Sequence, residues 1–249
     1  MSTHFLPVCT QEALRLDSIT IRSATIGWLH SGCKVLNGQV RWQAGDFFCF
    51  EHGSRWQIEQ LPRQGNPYRA TLLLLAPQDV RQFHRQYGPL SCAQSLAWRH
   101  QGDAALQELW QRVQASHAEH LPAWQCQHRL FELLLHLRDA GWVFAAPAQM
   151  TLDEQIRRAI ASRPDFPWTP AHVADLLHIS ISTLQRRLRA QDISFSRLLR
   201  EQRMECALYL LMSSHLSIGQ VALQCGYHSP GKFSAAFKQQ FGFSPSQVK

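Results

Sequence analysis

This chain has no long apolar run, no Cys-x-x-Cys pair, no His-x-His pair, and no acidic residue after Glu205. Apolar runs such as Leu72–Ala76 are far too short to cross a bilayer, and no basic–apolar–small leader opens the sequence. Both absences point to a cytoplasmic protein without membrane association. Seven cysteines (Cys9, Cys33, Cys49, Cys92, Cys126, Cys206, Cys225) are odd in number and scattered, which fits reduced, mostly buried thiols rather than a disulfide framework. Thirteen histidines occur without the His-x-His pair on which metal-dependent β-barrel enzymes build their ligand set. A Gly-rich phosphate loop and a Gly-x-Ser-x-Gly elbow are missing too. These gaps argue against an enzyme and against any cofactor or metal. His117-x-x-His120 and Cys126-x-His128 keep ligand spacing, but solvent-facing and satisfied core roles explain them better.

Lysine is scarce as well, and Lys34 is the only one before Lys232. The net charge of +7 is unevenly spread: residues 1–151 hold 13 Lys/Arg against 11 Asp/Glu, and residues 152–249 hold 12 against 7. Arg186, Arg187, Arg189, Arg197, Arg200 and Arg203 crowd into 18 residues. Such a run is either a solvated face or the footprint of a polyanion partner. With 249 residues, 45% hydrophobic and 17% charged, the chain is a folded protein of one large or two ordinary domains.

The first 76 residues read as β-structure. Asn37-Gly38 between short apolar pairs is a strong signal for a type I′ hairpin, Gly45-Asp46 turns the chain into Phe47–Phe50, and Arg69–Ala76 is a further strand. From Pro77 the period becomes helical, near 77–87, 103–120 and 124–140, with Leu130, Phe131, Leu134 and Leu137 along one side of the last. One side of that helix should be buried in its own domain and the rest should offer an interface, with Leu133 and Leu137 as the dimerisation candidates. The domains are 1–145 (strands about 1–76, helices about 77–141), a linker at 146–151, and an all-helical 152–249. All eight Trp lie at or before Trp168.

Within 169–249 one pattern occurs twice. Ala174, Leu177, His178, Ile179, Ser180, Leu184 and Leu188 are matched by Ala222, Cys225, Gly226, Tyr227, Ser229, Phe233 and Phe237, with Leu184 and Phe233 49 residues apart. A small residue on one short helix, a tight turn, a Ser cap and an apolar i, i+4 pair describe a helix-turn-helix whose second helix can enter a DNA major groove. Thr169-Pro170 caps the first helix, Ser180 the next (near 181–190), a linking helix runs from about Ser196 to Ser213, Ser217 and Gln220 form a capping box, and Ser229-Pro230 opens a last helix ending at Gly242. The linking helix, roughly 27 Å long at 1.5 Å per residue, suits two recognition helices in successive major grooves.

These residues resemble the AraC/XylS family of bacterial transcription regulators. The resemblance covers roughly 152–249 and rests on Leu184-Gln-Arg-Arg-Leu188, Arg203-x-x-x-Ala207, Ser217-Ile-x-x-Val221-Ala222, Gly226-Tyr227-x-Ser229, Phe233-Ser-x-x-Phe237-Lys238 and Gly242-Phe-Ser-Pro245. Cys225-Gly-Tyr-His-Ser229 is similar to the enterobacterial stress and virulence activators of that family. Three positions depart from the pattern: His178 replaces a common Gly, Ala235 replaces a common Arg, and the sequence stops at Lys249 where members continue their final helix. The resemblance implies an α+β fold, with an N-terminal cupin-like β-barrel and dimerisation helices followed by an all-α domain of two helix-turn-helix units. It further implies a DNA-binding regulator, an activator, that works as a homodimer with double-stranded DNA and RNA polymerase.

On the first recognition helix the stripe opposite Leu184 and Leu188, with Ile181 placed beside them, is Ser182, Gln185, Arg186 and Arg189. Gln185 can pair with adenine and Arg186 with guanine, while Arg189 is better placed for a phosphate. The equivalent stripe of the second helix is Gly231, Ser234, Ala235 and Lys238, flanked by Ser229 and Lys232, so that unit should position the protein more than it reads sequence. Trp28, Trp42, Trp56, Phe47, Phe48 and Phe50 either line a barrel pocket or simply pack its core. By the resemblance, Lys34 and Lys232 are ligand-binding candidates, because some relatives hold a fatty-acid carboxylate with such cations. The alternative is control by a protein partner without a small ligand, and a cupin-type metal enzyme is a remote third reading.

Overall fold

The computed structural model describes residues 3–63, 65–88, 95–147 and 150–248, and it divides into two units, Met1–Pro147 and Ala148–Lys249. The first unit opens with eight strands: β1 (His4–Thr10), β2 (Leu14–Thr20), β3 (Thr25–Ser31), β4 (Cys33–Leu36), β5 (Val40–Gln43), β6 (Asp46–Phe50), β7 (Arg55–Leu61) and β8 (Tyr68–Leu74). Helix α1 (Pro77–Tyr87), strand β9 (Ala97–Gln101) and helices α2 (Ala104–Ala118) and α3 (Ala123–Asp139) complete it. Asn37 and Gly38 take φ of 50° and 69°, the left-handed pair of a type I′ turn, and they join β4 to β5 in antiparallel register. Strand β9 had no counterpart among the expected elements; it pairs with the edge of β6.

The expected closed barrel is corrected to two open antiparallel sheets, in the orders β1-β8-β3-β6-β9 and β2-β7-β4-β5. A barrel requires a continuous ladder around its circumference, and among the described residues no ladder joins the two sheets. Strand β6 is buried along its whole length. One of its faces, Phe47 and Cys49, packs with Ile26 and Leu73 against Leu106, Trp110 and Val113 of α2 and against α3. The other carries Phe48 and Phe50, which contact Trp42 of the second sheet. The six aromatics proposed for one pocket are therefore split. Trp28 stacks on Phe47 toward the helices, and Trp56 contacts Phe50 between the sheets.

Helix α3 buries Leu130, Phe131, Leu133, Leu134 and Leu137 in the same helix-covered core. Leu133 and Leu137 are 0% and 1% exposed, which corrects their assignment to a partner-facing side: both are buried in the core of their own unit.

The second unit consists of α4 (Leu152–Ser162), α5 (Pro170–Leu176), α6 (Ile181–Arg189), α7 (Phe195–Ser213), α8 (Ile218–Gln224) and α9 (Pro230–Phe241), followed by a short 3-10 turn at Pro245–Gln247. Local chemistry sets these boundaries. Thr169, Ser180, Ser194 and Ser229 each accept a hydrogen bond from the backbone N–H three residues on, and Thr151 and Ser217 form full capping boxes with Glu154 and Gln220. Each such cap is worth about 1 kcal/mol. His178 takes the positive φ, 53°, and Gly226 takes 76° at the matching turn. Around α5 and α6 the core is aliphatic: Ile156, Ile160, Val173, Leu184, Leu188 and Leu198. Around α8 and α9 it is largely aromatic, with Phe233, Phe237, Phe241 and Phe243 in successive ring contacts.

Candidate nucleic-acid interface

Helix α6 turns Leu184 and Leu188 inward, at 0% and 3% exposure, and this fixes what its other face presents. Ser182, Gln185, Arg186 and Arg189 are all exposed, with Arg187 beside them. Ile181 departs from expectation: at the first helical position it is 45% exposed instead of joining the two leucines. Ser182 has its hydroxyl 2.9 Å from that of the cap residue Ser180. On α9, Phe233, Phe237 and Phe241 are buried, Lys232, Ala235 and Lys238 are exposed, and Ser234 is half-buried. The Ser229 side chain is engaged as the cap, accepting from the Lys232 N–H. The two helices thus share a geometry and differ in chemistry. The first offers an amide and three guanidinium groups, whereas the second offers two ammonium groups around a methyl.

The basic run does not behave as one patch. Arg186, Arg187, Arg189 and Arg200 are exposed. Arg197 instead donates to Glu201 at 2.7 Å, and Glu201 also receives the buried Arg157 at 2.6 Å. Burial alone pushes the Glu201 carboxyl up, but the hydrogen bonds and charges of Arg157 and Arg197 outweigh it and hold the group below the usual carboxylate range. Arg203 is half-buried and donates to the carbonyls of Pro164 and Phe166. The Arg203-x-x-x-Ala207 motif sets it apart in sequence, but charge and spacing within the arginine run do not show that it turns inward.

In the first unit, Lys34 points between the two sheets at 3% exposure. Its ammonium lies over the rings of Phe48 and Tyr68, 5.2 and 5.3 Å from their centroids. Burial lowers its pKa to about 7. Gln60 sits opposite Lys34 in the ladder, and Thr10 opposite Tyr68. Gln60 Oε1, Tyr68 OH and Thr10 Oγ1 are all buried without a hydrogen-bond partner, and sequence reasoning missed all three. Lys232, the other ligand candidate, belongs to the second unit. The first unit also has an open cleft of about 280 Å³, lined by His30, Gln43, Arg63 and Asn66 among others, and Lys34 is not part of it.

The metal-spaced residues have local partners. His117 and His120 each place Nδ1 3.0 Å from a backbone carbonyl oxygen, and the Cys126 thiol donates to the carbonyls of Ser116 and Leu121. Among the described residues no group of three or more His, Cys, Asp or Glu is placed to hold a metal ion, and no helix is long and apolar enough to cross a membrane.

Two short-helix pairs, each burying an apolar i, i+4 couple and exposing the opposite stripe, define a tandem helix-turn-helix DNA-binding module. Residues 173–249 match the family model described as a helix-turn-helix domain. The transcriptional regulator SirC of Salmonella typhimurium is 38% identical over 97 residues, covering 39% of this chain and 33% of the relative. The HTH-type transcriptional regulator GadX of Escherichia coli is 41% identical over 82 residues, covering 33% and 30%. The chain thus spans about a third of the length of the curated relatives it matches. Over the whole chain the fold is similar to that of ToxT from Vibrio cholerae. An apo crystal structure of a single-residue variant of ToxT aligns at a TM-score of 0.66 and 15% identity over 99% of this chain and 96% of that one. A wild-type ToxT structure with an unsaturated fatty acid bound aligns at 0.64 and 16%, over 99% and 94%.

Proposed function

We propose that this protein is a cytoplasmic, sequence-specific DNA-binding regulator, an activator, in which the two helix-turn-helix units have unequal tasks. The observation that carries this reading is the exposed face of α6, set against the impoverished face of α9. Gln185 and Arg186 supply the two side chains best suited to paired contacts with adenine and guanine edges. Ser182 lies beside them at the helix start, and Arg189 contacts a phosphate. Lys232, Ser234 and Lys238 on α9, with Ser229 at its cap, bind backbone phosphates and set register without reading bases. The protein acts as a homodimer and recruits RNA polymerase to the promoter it binds.

Site selection from random-sequence duplex DNA tests this division. Arg186→Ala should relax one base preference by about 1–3 kcal/mol, and Lys238→Ala should weaken all sequences equally while lowering the log–log salt slope by about 1. Equal information in both half-sites for the wild type would overturn the unequal reading.

The first unit senses a carboxylate such as a fatty acid. In support, it carries a buried cation, Lys34, beside Gln60 and Tyr68, each with a buried polar atom that lacks a hydrogen-bond partner, and it shares its fold with a protein crystallised with a fatty acid bound. Long-chain fatty acids should raise the melting temperature of the wild type and not that of Lys34→Met. No rise in the wild type would favour control by a protein partner.

A further inference from the structure

Two helix-turn-helix units joined by a helix need something to fix their separation and rotation, since short units with small cores would otherwise pivot. Helix α7 packs on α4 and on both α8 and α9, so it is the physical link. Halfway along it, Arg203 reaches to both sides. Its Nε donates to the Pro164 carbonyl at 2.9 Å and its terminal nitrogen to the Phe166 carbonyl at 3.0 Å. That loop is itself braced. Trp168 Nε1 donates to the Arg163 carbonyl, Phe166 and Trp168 meet edge-on at 4.9 Å, and the Arg163 guanidinium lies over the Phe166 ring. The loop leads directly into Thr169, the cap of α5.

On its other side the Arg203 guanidinium presses on the turn of the second unit. A Cβ at Gly226 would meet it at 2.7 Å and would meet the Pro164 carbonyl oxygen at 3.0 Å. Gly226 therefore serves two needs: a positive φ, and room for the guanidinium and the loop carbonyl. Burial holds the Cys225 thiol and the Tyr227 hydroxyl on either side of it above their ordinary values, with the Arg203 charge opposing the shift in both. The entry to the first helix-turn-helix, the linking helix and the turn of the second helix-turn-helix thus converge on one side chain.

We propose that Arg203 is a positioning residue that locks the two recognition helices at a fixed separation and rotation, so that both can engage one face of DNA at once. The inference rests on the DNA-binding reading above. A planar fork with two directed donors can hold two carbonyls in one geometry, whereas a lysine cannot.

The test is hydroxyl-radical footprinting of the full-length protein on duplexes selected by the wild type from random-sequence DNA, with affinities measured over a range of salt. The wild type should protect two patches about one helical turn apart. Arg203→Met, shown by melting to be folded, should keep the α6 patch, lose or spread the α9 patch, and show a lower salt slope. Gly226→Ala, which displaces the guanidinium from the other side, should give the same footprint. Arg203→Lys serves if Arg203→Met does not fold, and should also spread the second patch because one ammonium cannot replace the fork. A folded variant of either kind with the wild-type two-patch footprint and unchanged salt slope overturns the proposal. A wild type that protects no DNA would refute the DNA-binding reading itself, and this inference with it.

Discussion

Replacing Lys34 by Met measures the cost of a cation kept inside the sheet sandwich. Burial lowers the Lys34 ammonium from 10.5 to about 7. At about 1.4 kcal/mol per pH unit, that interval amounts to about 5 kcal/mol. That is the penalty wherever the group must be charged. Between about pH 7 and 10.5 the unfolded chain binds this proton and the folded chain does not, so stability gains with rising pH across that window. Below about pH 7 both states hold the proton and the penalty is full. Met is close to Lys in length and has no charge to desolvate. Lys34→Met should therefore be more stable than the wild type by about 5 kcal/mol near pH 6, with the gap closing toward pH 10. Urea denaturation of both proteins across that range gives the difference directly, and the titration of every other group cancels between them. A gap that is absent at the acid end, or that persists unchanged at the alkaline end, would refute the reasoning.

Leu133→Ala should cost about 2–5 kcal/mol in chemical denaturation, because the side chain is wholly buried within its own unit; a stability loss under 1 kcal/mol would mean the packing is wrong. Glu201→Gln should destabilise by about 2 kcal/mol, since it replaces the carboxylate 2.6 Å from the buried Arg157 guanidinium by a neutral amide. The wild type should lose this contribution as pH falls through the depressed Glu201 pKa, and an acid denaturation curve unaltered by the substitution would count against the bridge. Ala235→Arg puts a guanidinium on the exposed face of α9 and should add both affinity and a new base preference in the second half-site, read by the same site selection.

Sequence was most informative where structure is decided within a few residues. Asn37-Gly38 and the Thr and Ser caps are local bargains between a side chain and its own backbone, so their letters suffice. Leu184 with Leu188, and Phe233 with Phe237, identified the buried faces of α6 and α9 and hence the exposed ones. Barrel closure was not legible, because inward and outward residues alternate identically in a closed barrel and in two facing sheets. Strand β9 escaped because Ala97–Gln101 is a short edge strand with no fully buried residue. Leu133 and Leu137 misled because a broad apolar arc on a helix can serve its own core or a partner, and periodicity does not say which. The polar group around Lys34 draws on β4, β7 and β8, far apart in sequence, so only the folded sheets bring Gln60 and Tyr68 to it.

Strand β6 is a wall one residue thick. Phe48 faces the sandwich interior, with its ring covering Gly27 so closely that a Cβ there would lie 2.1 Å from it, and the next side chains in either direction, Phe47 and Cys49, are embedded among the helices. Interiors this dense have little slack. A molecule that displaced the Phe48 ring could not push it into empty space; the strain would pass along the backbone to Phe47 and from there to Trp110 of α2, 5.6 Å away between ring centroids. Whatever enters between the sheets is thereby felt, as mechanical load, on the helical side of the unit.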